Sequence, residues 1–225
     1  MDRENKVNLH RIGRRVQSIL FFLFMIILTT ACAFPGQTKR EIVRTYFLNP
    51  EVREASGRGG AGKGSTAVLL VNLPKAQAGF DTERIAYLRR PHEVNYYATS
   101  EWVDTPPRML APLLVQAFER FGAWQTVVRM PSAVRGDYRV DSDNLTLGQE
   151  FFQRPSRVRL TLRAQLVDLQ RLRPIGTKVF EVVEPAPSED AYGGVTAANR
   201  AVAKLLDEVA AWVSRCVQEA PLDGC

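Results

Sequence analysis

Histidine is almost missing from this 225-residue chain, which holds two, and cysteine is scarce at three. His10 falls in the basic opening stretch, so His92 is the one imidazole left for chemistry in the rest. A Ser-His-Asp or Cys-His arrangement would have to use it. It stands in the polar run Arg89-Arg90-Pro91-His92-Glu93, where a solvated turn residue is the simpler reading. Histidine-rich metal sites are excluded, and the absence of a C-x-x-C pair removes the zinc signal. No metal and no cofactor is expected. Long apolar runs are lacking too. The run Ile19–Leu28 has ten residues, short of the ~20 that a spanning helix needs. At 45% hydrophobic and 24% charged, the composition excludes wholesale disorder as well as fibrous and multi-pass membrane proteins.

What is present begins with a leader. Residues 1–31 carry five basic side chains against two acidic ones, half of the net +6. A basic n-region ends at Arg14-Arg15, the apolar run follows, and Leu28-Thr29-Thr30-Ala31-Cys32 resembles a bacterial lipobox. Small residues before the cut fit a peptidase cleft, and the Cys32 thiol would receive diacylglycerol. Thr29 departs from the leucine usual at its place; an uncleaved anchor is the alternative. Ala33, not Asp, follows Cys32, which by the lipoprotein sorting rule implies the outer membrane. The expected organisation is a signal peptide over 1–31, a lipidated tether over 32–43 and one domain over 44–225. With Cys32 acylated, Cys216 and Cys225 form an even pair for an oxidising compartment. They either close a loop that pins the chain end or stay as two unpaired thiols.

Periodicity gives an α+β domain. Val158, Leu160, Leu162, Ala164 and Leu166 alternate with Arg159, Thr161, Arg163 and Gln165, the signature of a strand with one buried and one wet face. Strands are predicted at 44–48, 66–73, 85–88, 94–98, 124–128, 138–140 and 178–183. The pair at 85–88 and 94–98 reads as a hairpin. Leu110, Leu113, Leu114, Ala117, Phe118 and Phe121 form one helical stripe, opened by Thr105-Pro106-Pro107 and stopped by Gly122. A second one-sided helix is predicted from about Thr196 to Val217. The economical arrangement is a mixed, largely antiparallel sheet with two amphipathic helices on one face. Gly57-Arg58-Gly59-Gly60-Ala61-Gly62-Lys63-Gly64 nearly spells a phosphate-binding loop, but no Ser or Thr follows the lysine and a strand, not a helix, comes next. It is read as a flexible loop.

Arg157, Arg159 and Arg163 would project together from the wet face, with Arg154, Arg171 and Arg173 near the strand's ends. They form either a docking surface for an acidic partner or anionic head groups, or a merely soluble face. Trp102, Tyr96 and Tyr97 are either interaction residues or core and rim packing. Asp141 and Asp143, and Glu189 and Asp190, read as solubilising loop carboxylates. Stacking aromatics of the nucleic-acid-binding kind are lacking.

Three stretches carry a family resemblance: Val68-Leu69-Leu70-Val71-Asn72-Leu73-Pro74, Gly79-Phe80-Asp81-Thr82-Glu83-Arg84-Ile85-Ala86-Tyr87 and Trp102-Val103-Asp104-Thr105-Pro106-Pro107-Arg108-Met109-Leu110. Together with Tyr46-Phe47-Leu48 after a lipidated cysteine, they resemble the ABC-type transport auxiliary lipoprotein family, to which PqiC-like proteins belong. The resemblance spans roughly 44–217. It implies a fold similar to the small α+β domain at the start of the periplasmic TolB protein, and no catalytic residues. It also implies partners: a permease, an ATPase and an MCE-domain substrate-binding protein that move lipids between bacterial membranes. The expectation is a lipid-anchored accessory subunit on the periplasmic side of the outer membrane that acts by protein contact, with homo-oligomerisation left open. The alternatives are a small periplasmic hydrolase or ligand-binding protein, and a structural envelope-assembly lipoprotein.

Overall fold

Alternation of apolar and polar side chains builds the centre of the molecule. In a computed structural model of the chain, residues 41–51 and 66–219 are described; the leader, Cys32, all but the first residue of the glycine-rich segment 51–65, and Cys225 lie outside them. The strands are β1 (Arg44–Tyr46), β2 (Val68–Val71), β3 (Arg84–Leu88), β4 (Asn95–Trp102), β5 (Thr126–Arg129), β6 (Tyr138–Glu150), β7 (Arg157–Asp168) and β8 (Arg173–Pro185). The helices are α1 (Pro106–Phe121) and α2 (Ala191–Glu219). Each of them belongs to one unit that begins at Ile42.

β7 is the axis. Its Val158, Leu160, Leu162, Ala164 and Leu166 are buried, while the residues between them stay partly open. It pairs antiparallel with β6, from Tyr138↔Asp168 to Glu150↔Arg157, and with β8, from Arg157↔Pro185 to Asp168↔Arg173. The other edge of β6 takes two parallel partners end to end: β2 at its start (Leu69↔Tyr138) and β3 at its finish (Ala86↔Gly148). Between these, the Lys75 N–H donates to the Ser142 carbonyl at 3.0 Å and the Gln77 N–H to Leu145 at 2.9 Å. Residues 68–88 thus follow one edge of β6 as an interrupted strand. β4 lies antiparallel beside β3, β1 parallel beside β4, and β5 parallel beside β2. The result is an open, mixed eight-stranded sheet in which the longest ladders are antiparallel. The α+β class is as expected.

Both helices cover one face and touch each other, α1 over β2 and β5, α2 over β7 and β8. Leu110, Leu114 and Phe118 of α1 and Val202, Leu205, Leu206, Val209 and Val213 of α2 join Leu69, Val71, Leu160, Leu162 and Phe180 in one core. Phe180 and Trp212 meet edge to face, their centroids 5.7 Å apart, a geometry that aromatic quadrupoles favour.

Several boundaries differ from expectation. β6 runs to Glu150 rather than stopping at Val140. Its Asp141, Asp143 and Asn144 look like a turn, but the strand absorbs them by a register shift between Asp143 and Thr146, with Asn144 at φ 52°. Asn tolerates that left-handed conformation, and the shift turns Leu145 into the core. β8 also exceeds its predicted span, whereas β1 stops at Tyr46 and β5 starts only at Thr126. Thr105 occupies the N-cap position of α1 but makes no side-chain cap bond; prolines at the first two helical positions leave fewer orphan N–H groups to satisfy. Gly122 closes that helix as expected, at φ 69°.

α2 begins at Ala191, five residues before the predicted start, and takes in Gly193-Gly194, a pair of low helix propensity. Both glycines serve close approach instead. A Cβ on Gly193 would collide with the Ser188 carbonyl, and one on Gly194 with the Gln149 side chain. The Gly193 N–H donates to Asp190 Oδ1 at 2.8 Å, so Asp190 caps the helix.

Candidate functional site

The wet face of β6, β7 and β8 carries the three arginines singled out by sequence. Strand alternation places Arg157, Arg159 and Arg163 on one side of β7. Each meets a carboxylate. Arg157 Nε lies 2.9 Å from Glu150 Oε2, and Arg159 Nε 2.7 Å from Glu150 Oε1. Arg159 also pairs with Glu181 on β8, and Arg163 reaches Asp143 Oδ2 at 2.7 Å. Glu150 is only 8% exposed at its side chain. Burial works against its charge, but hydrogen bonds from Arg159 and Arg157 overcome that and hold its pKa below the ordinary glutamate value. The face is therefore a charge-matched ladder rather than a basic patch. Sequence alone did not show this, because the matching acids are cross-strand neighbours.

Asp141 and Asp143, and Glu189 and Asp190, are not the free solubilising carboxylates expected of them. Asp141 accepts from Arg139 at 2.8–3.0 Å and from the Asn72 amide. Asp143 holds Arg163, Glu189 Oε1 accepts the Ser156 N–H at 2.8 Å, and Asp190 caps α2. The Ser188 hydroxyl, at 2.6 Å, and the Gly193 N–H keep the Asp190 pKa low. A further carboxylate, Glu184, is buried on the edge strand β8 and ties it to α2 through Arg200 and Lys204. Burial opposes its charge, and those two cations still bring its pKa down.

The three aromatics separate. Trp102 is in the core. Tyr97 is half-buried and donates to Gln149 Oε1 at 2.9 Å; Gln149 Nε2 in turn donates to Ser156 Oγ at 2.9 Å. Burial pushes the Tyr97 phenol well above its ordinary pKa. Tyr96 stays at the rim, donating to the Gly79 carbonyl at 2.9 Å beneath the Arg84 guanidinium, 3.9 Å from its ring centre. A cavity of about 10 Å³ beside this network, lined by Trp102, Gly148, Gln149 and Gly194 among others, has room for about one water. Neither Gln149 nor Ser156 was singled out by sequence, since an isolated polar residue, in a strand like Gln149 or in the connection before β7 like Ser156, carries no periodic signal.

His92 is exposed in the turn between β3 and β4, at φ 67°, next to an Arg90–Glu93 ion pair of 3.1 Å. Cys216 is buried in α2 and disulfide-bonded, and Cys225, the partner expected for it, lies outside the described residues. Among the described residues no cluster of His, Cys, Asp and Glu could hold a metal ion, and no helix is long and apolar enough to cross a membrane.

A family model described as "ABC-type transport auxiliary lipoprotein component" matches residues 46–210, from the end of β1 to well inside α2. The chain belongs to this family. The arginine ladder, the Tyr97–Gln149–Ser156 network and the cap of α2 all fall within the matched stretch. A Xanthomonas campestris protein of family DUF330 is similar in fold, with TM-score 0.64 and 24% identity over 80% of this chain and 95% of its own. A second, uncharacterised protein superposes with TM-score 0.55 at 12% identity, over 79% of this chain and 99% of its own. No curated protein matches the chain. Membership assigns a transport-auxiliary lipoprotein role.

Proposed function

We propose that the chain is the lipid-anchored accessory subunit of an MCE-linked ABC system for moving lipid between membranes. In this reading Cys32 carries the acyl chains on the periplasmic side of the outer membrane, and the domain works by protein contact without chemistry of its own. The observation that carries it is the family match across nearly the whole described domain, downstream of a lipobox-like Leu28–Cys32. The placement of His92 in an exposed turn fits a non-catalytic role. Cys216 is proposed to pair with Cys225, pinning the end of α2.

Partner contact through Arg157, Arg159 and Arg163 belongs to the same proposal. The matched carboxylates refine it: a partner surface of mixed charge can exchange ion pairs with the ladder, whereas anionic head groups would have to displace Glu150 and Asp143. The test is purification of a tagged chain from detergent-solubilised membranes. An MCE-domain protein, with permease and ATPase, is expected to accompany it. Its consistent absence overturns the transport reading. Labelling with a radioactive fatty acid tests the anchor: label is expected on the wild type and not on Cys32→Ala.

A further inference from the structure

Four large apolar side chains, Ile42, Val43, Phe47 and Val103, are left open where the chain enters the sheet. Among the described residues β1 pairs only with β4, so its outer edge is unpartnered. Tyr46 packs on the core, and its strand partner Trp102 is buried there. Alternation sends the next residues, Phe47 and Val103, to the opposite face side by side. The Val103 N–H donates to the Tyr46 carbonyl at 2.7 Å, which fixes them as neighbours. Phe47 is 61% exposed and Val103 58%. Tyr192 of α2, its ring centre 6.4 Å from that of Tyr46, stands exposed on the other, helix-covered side of the same edge. Large apolar side chains grouped in the open along one sheet edge mark an interaction site.

The chain leading into β1 selects the occupant. Arg44 comes twelve residues after Cys32, a reach of about 40 Å even when fully extended. A patch held that close to a bilayer needs little intrinsic affinity, because tethering keeps its effective concentration high. Arg44, exposed in β1 itself, complements anionic head groups. We propose that the β1 edge seats on the lipid surface in which Cys32 is anchored, with Ile42, Val43, Phe47 and Val103 reaching the boundary between head groups and acyl chains. The inference rests on the lipoprotein reading. It adds an orientation: β8, at the far end of the path β1-β4-β3-β6-β7-β8, turns away from the membrane.

Nitroxide labels on Phe47→Cys, Val103→Cys and, as the distant control, Val179→Cys of β8 test this in the full processed lipoprotein. The protein is reconstituted into phosphatidylethanolamine–phosphatidylglycerol vesicles, with wild type setting the labelling background. Collisions with oxygen relative to a water-soluble nickel chelate should rise about threefold or more at 47 and 103, as expected at the acyl boundary, and stay aqueous at 179. Protein that floats with the vesicles while 47 and 103 remain aqueous overturns the seating and leaves the anchor standing. An equal rise at all three sites overturns it as well, since no edge is then chosen. A chain that neither floats nor takes up fatty acid removes the lipoprotein reading and this inference together.

Discussion

Glu150 receives hydrogen bonds from two arginines of the adjacent strand, and the shorter, from Arg159 Nε, measures 2.7 Å. The pair lies between the exposed and buried extremes, with Glu150 8% and Arg159 29% exposed at the side chain. Exposed pairs contribute ~0–1 kcal/mol, and breaking buried ones costs ~3–5. Glu150→Gln should accordingly cost about 2 kcal/mol in urea unfolding, an intermediate value on that scale. An unchanged midpoint would refute the ladder as a structural device.

Acid should act on the same groups. Glu150 and Glu184 both have folded-state pKa values below their ordinary ones. The unfolded chain therefore binds more protons at these sites, and their contribution to stability is present above the unfolded value. It should be complete above about pH 5 and drain away as pH falls below about 4.3 through the lowered folded values. Denaturant midpoints measured from pH 7 to pH 3 should trace that fall, and Glu184→Gln should flatten it.

Gly194 can be tested by one methyl group. Gly194→Ala drives its Cβ into Gln149, and overpacking of this kind costs ~1–3 kcal/mol. For a domain of this size that is a fall in melting temperature of about 3–10 °C. Combining it with Gln149→Ala should recover part of the loss in a double-mutant cycle. Strict additivity would show that the two do not meet.

Asp190→Ala should cost about 1 kcal/mol, the usual effect of removing an N-cap, and Asp190→Asn much less, since Asn also caps. Amide exchange localises the effect. The Gly193 N–H should lose protection in the alanine variant while the middle of α2 keeps it.

His92→Ala should leave co-purification with the transporter unchanged. Loss of function in cells with normal protein levels would favour the hydrolase reading instead.

The reach of the sequence follows the range of the forces involved. Alternation along Arg157–Asp168 and the stripe from Leu110 to Phe121 are periodic, so β7 and α1 were legible in outline. The early start of α2 was not legible, because Gly193-Gly194 has low helix propensity and its reason lies in contacts the sequence does not display, Gly193 with Ser188 and Gly194 with Gln149. Asp143 misled because a polar residue mimics a turn when its partner, Arg163, is 20 positions away. The charge-matched ladder was hidden for the same reason: composition reveals how many arginines there are, not which acids stand across from them. The cysteine reading lay at the chain's ends, and Cys32 and Cys225 fall outside the described residues.

The end-to-end lodging of β2 and β3 along one side of β6 has a temporal side. A chain that emerges amino end first presents Val68–Val71, four successive aliphatic residues, long before Tyr138 and its successors exist to dock them. The β6–β7–β8 meander, by contrast, closes between near neighbours in the chain and can form at once. Assembly should therefore run backwards relative to synthesis, with the last-made strands offering the rail on which the first-made ones settle. Until then the early segment is a sticky, β-prone ribbon, and a holding chaperone should bind it there and release it when the rail arrives.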